Sequence, residues 1–340
     1  MAVDVAAPRT RTPQAPAARG GGLAVLGALL LVALMIHLVA PSRVGWLQNL
    51  LIVFGSLLVE AMPFILLGAT ISAAIEVLVP SSTFAKLGRL PKGLQLPAAA
   101  AAGMAFPVCE CGSVPVARRL AAKGLAPGAA ITFMLAAPIV NPVVIASTFV
   151  AYRGRDTLWL MVIGRFVLGF VVAMAVGWVI GALKGSGELL RTPTQDVATE
   201  EAIEGTEARW RRFAGHLAGD VVFMARFLVI GAFIAAAVQT FVPQSVVDRV
   251  AGLPILSIVA MMLLAFLMSL CSESDAFVAA SFVAFGPAAQ LAFLVSGPMI
   301  DVKLSALYAG TYRGGFVRTA TIAIFATTLV LTMWIQVIWG

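Results

Sequence analysis

Cys109-Glu110-Cys111-Gly112 is the stretch of this chain best equipped for chemistry. Two thiols at i, i+2 converge on one soft ion when the backbone between them is extended or turned. Pro107, Gly112 and Pro115 crowd the stretch, so a regular helix does not run cleanly through it. A third thiol, Cys271, stands in the second half of the chain. Three thiols suit a soft, thiophilic species better than magnesium or calcium, whereas the structural alternative makes each cysteine a small buried hydrophobe. With two histidines in the chain a histidine-based metal site is not expected, and no resident metal or other cofactor is assigned. An odd count of three cysteines is no disulfide framework.

Charges embedded in apolar sequence form a second group: Glu60, Glu76, Arg165, Arg226, Glu273, Asp275, Asp301 and Lys303. Each costs about 2.5–3.5 kcal/mol at the centre of a bilayer, so each should pair or face a cavity. Glu60, Glu273, Asp275 and Asp301 are the expected carriers of a coupling proton. Glu76 and Arg226 can instead snorkel from helix ends. Asp301 and Lys303 are two positions apart and would not face each other on a helix. A third feature is Ala137-Pro-Ile-Val-Asn141-Pro142, where two prolines free backbone carbonyls and Asn141 adds an amide. Unwound helices of this kind form midplane sites in transporters, and a packing kink has the same signature. The expected substrate contacts are Cys109, Glu110, Cys111, Asn141 and Cys271.

The elements that carry these residues must be membrane helices. Of 340 residues 61% are hydrophobic and 11% charged, and the mean hydropathy is +0.99. Soluble domains carry roughly 25% charged residues, so a secreted enzyme, a nucleic-acid module and a disordered scaffold are excluded. The net charge of +7 fits basic residues gathered in cytoplasmic loops. Residues 1–22, rich in proline and arginine, read as a disordered tail. An apolar run then predicts a first transmembrane helix over 23–45, uncleaved because Pro41 makes a poor processing site. Further apolar segments lie at 46–79, 95–108, 125–150, 157–183, 217–242, 253–270, 286–310 and 316–338. The first of these would span roughly 50 Å as a helix and must tilt, kink near Pro63 or project from the bilayer.

The two halves resemble each other. Phe64-Ile-Leu-Leu-Gly68 matches Phe227-Leu-Val-Ile-Gly231 at an offset of 163, Cys109 falls opposite Cys271 at 162, and Tyr152-Arg153-Gly154 matches Tyr312-Arg313-Gly314 at 160. Ordered matches at so steady an offset predict a duplication. Segment 95–108 is too short to cross a hydrocarbon core of about 30 Å. It either crosses imperfectly or enters, turns at the cysteine tip and returns. A returning hairpin keeps Arg118, Arg119, Lys123 and the linker at 184–215 on the inner side, as the positive-inside rule demands. The expected fold is an all-α polytopic membrane protein of seven spans. It has two inverted repeats, 46–183 and 216–340, each of three transmembrane helices plus one re-entrant hairpin, and an extra N-terminal helix.

Phe106-Pro-Val-Cys-Glu-Cys-Gly-Ser-Val-Pro115, Phe133-Met-Leu-Ala-Ala-Pro-Ile-Val-Asn-Pro142 and the later Cys-Ser-Glu-Ser-Asp275 stretch resemble the bacterial YraQ/ArsP-type predicted permease family. The resemblance spans roughly 46–340 and implies a multi-spanning inner-membrane permease with a cytoplasmic N-terminus. Some relatives are described as exporters of trivalent organoarsenicals, and some as one subunit of a two-component complex, which implies a small membrane partner. The CECG form is closer to the generic permease branch than to the arsenical exporters. No G-x-x-x-x-G-K-[ST] occurs, so the expectation is a secondary transporter, not an enzyme. Its partners are the lipid bilayer and a small-molecule or metalloid substrate, and no nucleic acid. The rivals are a membrane thiol oxidoreductase cycling the CEC pair and a structural subunit.

Overall fold

The computed structural model describes residues 45–78, 91–106, 108–183, 190, 206–241 and 254–339. The expected tail at 1–22 and, except for Gly45, the expected helix at 23–45 lie outside the described residues. The chain divides into two units, 1–48 and 49–340, and apart from residues 45–48 the second holds every feature discussed below.

Helix α1 (Gly45–Leu78) leads into two short helices, α2 (Lys92–Ala102) and α3 (Glu110–Ala122). A broken pair follows, α4 (Pro127–Val140) and α5 (Pro142–Ala151), then a long α6 (Leu158–Leu183). The second half repeats this order. Long α7 (Thr206–Phe241) precedes short α8 (Pro254–Met268) and α9 (Asp275–Ser281), then come α10 (Pro287–Ser296), α11 (Val302–Thr311) and long α12 (Phe316–Trp339). Among the described residues the one non-helical pairing is a β-bridge between Leu190 and Tyr312.

Among the described residues five stretches are long and apolar enough to cross a membrane: Gly45–Leu78, Pro127–Ala151, Leu158–Leu183, Trp210–Thr240 and Phe316–Trp339. Their outward faces are apolar, with Ile163, Trp178, Ile322 and Trp334 exposed, while small residues face inward. Gly177 and Gly181 of α6 close against Gly128 of α4, the small-residue packing by which helices associate in lipid.

Two expected elements differ from the sequence reading. The segment at 286–310 is not one helix, because residues 297–301 leave it between α10 and α11. Pro298 removes a donor there, and Asp301 is fully extended (φ −144, ψ −177). The linker assigned to 184–215 gives way to helix at Thr206, since its polar residues beyond that point do not break a helix.

The short pairs are what bring chemistry inside. As helices α2 and α3 reach roughly 16–20 Å, and α8 about 22 Å, all less than a bilayer core. Between α2 and α3 the chain passes a 3-10 turn (Gly103–Ala105) and reaches Cys109, which is extended (φ −75, ψ 177) and caps α3. After α8 the backbone turns at Ser269, whose φ of +48 is a left-handed conformation rare outside glycine. Non-helical backbone at membrane depth survives where protein buries it, and Cys109 and Ser269, at the two turns, are buried.

Candidate functional site

The two turns meet. Cys109 and Glu110 come from the first and Cys271 from the second, and one ligand atom of each lies within 4.8 Å of the others. All three thiols are free and buried.

Glu110 opens α3, where a carboxylate favours the positive end of the helix. Its two oxygens face opposite ways. Oε1 accepts from Lys303 Nζ of α11 at 3.1 Å. Oε2 accepts from the Ser272 hydroxyl at 3.1 Å and its N–H at 3.4 Å, and stands 4.0 Å from Cys271 Sγ. Lys303 Nζ also donates to the carbonyl of the left-handed Ser269 at 3.1 Å. The Cys271 thiol donates to Glu273 Oε2 at 2.7 Å. Half-buried Glu60 on α1 accepts from the Ser274 hydroxyl at 3.0 Å.

The second turn is anchored to the first half by Arg165 of α6, which is fully buried. Its guanidinium donates to Thr148 Oγ1 (2.8 Å), the Ser272 carbonyl (3.0 Å) and Asp275 Oδ2 (2.8 Å). Asp275 is therefore held by a cation. The geometry corrects the reading of Asp301 and Lys303: Asp301 lies outside the helix, so its Oδ2 stands 3.8 Å from Lys303 Nζ. Asp301 Oδ1 meanwhile caps α11 by accepting from Leu304 N–H at 2.6 Å. Its repeat-related counterpart Asn141 does the same for α5, accepting from Val143 N–H at 2.9 Å. Asn141 Oδ1 is thus engaged in a helix cap.

Close backbone approaches hold these helices in register. A Cβ on Gly68 of α1 would strike the backbone of Gly112 on α3, and one on Gly231 of α7 would strike that of Lys303 on α11. The repeated Phe-x-x-x-Gly motif therefore seats each helix that carries one partner of the Glu110–Lys303 pair. The far end of α3 is also tied. Arg119 pairs with Glu76 (3.4 Å) and Asp220 (3.3 Å), and Lys123 Nζ donates to the terminal carbonyls of Ile75 and Glu76 in α1. Glu76 is an ion-pair partner here, not a snorkelling end residue.

The sequence reading marked Arg165 and Lys303 as embedded charges without placing them in the site, and Ser272 escaped it. The only sequence signal for Ser272 is its position, 162 residues after Glu110.

Residues 46–337 match the family model described as a predicted permease. The UPF0718 protein YcgR of Bacillus subtilis (strain 168) is 36% identical over 269 residues, 78% of this chain and 89% of that protein. A protein of Streptococcus mutans serotype c (strain ATCC 700610 / UA159), named "Putative two-component membrane permease complex subunit", is 33% identical over 293 residues, 84% of this chain and 93% of its own length. No solved structure matches. With family, coverage and apolar helices in agreement, this chain is a multi-pass membrane protein that belongs to the predicted permease family.

Proposed function

We propose that the chain is a secondary permease of the bacterial inner membrane, with its N-terminus in the cytoplasm, that moves a thiophilic solute such as a trivalent organoarsenical. The observation that carries this reading is the meeting of Cys109, Glu110 and Cys271 between two non-helical turns contributed by the two halves. Cys111 completes the set of thiols. Glu60 and Glu273, both half-buried beside the second turn, are the acids best situated to exchange a coupling proton. Asp275 and Asp301, each beside a buried cation, would respond to proton transfer by releasing or recapturing Arg165 or Lys303.

The topology proposed is a pair of inverted repeats, each with a re-entrant hairpin. Two reciprocal contacts support it. Tyr152, at the end of the first broken helix, donates its hydroxyl to Gln290 Oε1 near the start of the second (2.8 Å). Tyr312, at the end of the second, donates to Met134 Sδ in the first half of the first (3.1 Å). The end of each broken helix thus meets the beginning of the other, as antiparallel copies require.

Sealed vesicles carrying the full chain test the reading. Accumulation of a trivalent arsenical is expected, abolished by Cys109→Ser or Cys271→Ser. Absence of accumulation, with a mixed disulfide trapped on Cys109 or Cys111, would favour the thiol oxidoreductase instead. The name of the Streptococcus relative favours one elaboration, that this chain works with a second membrane subunit. Co-purification of one small membrane protein in fixed ratio from the native host would support it.

A further inference from the structure

We propose that the cluster at the two turns is a binding site for a divalent d10 metal ion of the zinc–cadmium class, with Cys109 Sγ, Cys271 Sγ and Glu110 Oε2 as ligands. The inference rests on the permease reading for what the ion would be doing there, namely travelling, but its ligand chemistry stands on the geometry.

Three arguments lead to this class of ion. The first is spacing. The three donors already lie within 4.8 Å of one another, with Cys271 Sγ and Glu110 Oε2 at 4.0 Å. Zinc–sulfur and zinc–oxygen bonds of about 2.3 and 2.1 Å put tetrahedral neighbours roughly 3.6–3.8 Å apart. Closing the site therefore moves each donor by less than about 1 Å.

The second argument is donor type. Magnesium and calcium take oxygen ligands, and monovalent copper takes sulfur. A buried set of thiols with one carboxylate suits a tetrahedral borderline ion. Glu110 is held as a metal-ligating carboxylate should be: Lys303 grips Oε1 and leaves Oε2 facing the sulfurs. The Ser272 hydroxyl donates to the same Oε2. Glu273 Oε2, bonded to the Cys271 thiol, sets the orientation of that sulfur.

The third argument is charge. Glu110, Glu273, Asp275 and Asp301 stand around the turns, against the cations Lys303 and Arg165. Among these six groups acids exceed bases by two. A divalent ion bound by Cys109 and Cys271 as thiolates displaces their two protons and so adds no net charge to the site, whereas a monovalent ion bound the same way would deepen the acid excess.

The test is a titration of the purified full chain, in detergent micelles, with cadmium ions alone, following the ultraviolet sulfur-to-cadmium charge-transfer band. One ion per chain is expected, with the band lost in Cys271→Ser and Cys109→Ser. Glu110→Gln, which keeps the thiols and is checked for folding by gel filtration, should weaken binding by about tenfold or more. No band in the unaltered chain, a band that survives Cys271→Ser, or undiminished affinity in Glu110→Gln would overturn the proposal. The two readings fail separately. Binding of phenylarsine oxide without binding of cadmium overturns the metal site and leaves the permease. Cadmium binding by a chain that accumulates nothing in vesicles upholds the site and removes the permease.

Discussion

Arg165→Met is the substitution whose consequence the structure determines most fully. The arginine is entirely buried, and one guanidinium serves a hydroxyl, a carbonyl and a carboxylate, all at 2.8–3.0 Å. Its removal leaves Asp275 buried with no cation beside it, a defect of about 3–5 kcal/mol. At roughly 2 °C per kcal/mol for a chain of this size, melting should fall by about 6–10 °C. Asp275→Leu alone strands the arginine, which still keeps Thr148 and the Ser272 carbonyl. The double variant removes both charges and should be more stable than the sum of the single losses by about 0.5–3 kcal/mol. Loss of the helical circular-dichroism signal of the full chain in detergent provides the assay. Exposed Arg153→Met serves as the control. The reasoning is refuted if Arg165→Met melts within about 2 °C of the control, or if the double variant loses as much as the two singles together.

Three further outcomes are expected. Gly231→Leu should cost at least about 1–3 kcal/mol because its side chain collides with the Lys303 backbone, whereas Gly219→Ala on the same helix, in open space, should melt like the parent. Lys303→Met should lower the melting temperature through the stranded Glu110, and adding Glu110→Gln should restore part of the loss in the same thermal assay. Asp301→Ala should lose a cap worth about 0.5–2 kcal/mol, while Asp301→Asn keeps the cap and changes only the charge near Lys303. Transport lost by Asp301→Asn at unchanged stability would therefore assign the loss to charge.

Local signals carried the element order. Apolar length, proline and glycine located the first short-helix pair and the break at Asn141, because these depend on residues within a few positions, whereas the second pair was expected only from the repeat. The repeat offsets also forecast that Cys271 would be related to Cys109. Choice of ionic partner was not legible. Arg165 and Asp275 are separated by 110 positions, and nothing local says which of the embedded acids an arginine will meet. The Asp301–Lys303 contact was hidden for another reason: a two-residue spacing rules out contact only on a helix, and Asp301 is extended. The extent of α7 into polar sequence was equally hidden, since solvated polar residues tolerate helix without signalling it.

The proposed duplication would explain why the site lies where it does. Cys109 meets Cys271, and Glu110 meets Ser272, and each pair is separated by the same 162 positions. Residues that touch their own counterparts lie on the axis relating the two copies. For the inverted repeat proposed above that axis runs in the plane of the membrane, so the cluster falls at mid-depth. The same positions have diverged in chemistry. One copy supplies a carboxylate and the other a hydroxyl that donates to it, and Asn141 and Asp301 share a capping role while differing in charge. On that proposal, duplication accounts for a backbone that brings paired positions together at one point. Divergence then gives that point its thiols, its single bridging carboxylate and its nearby lysine, a combination that neither copy holds alone.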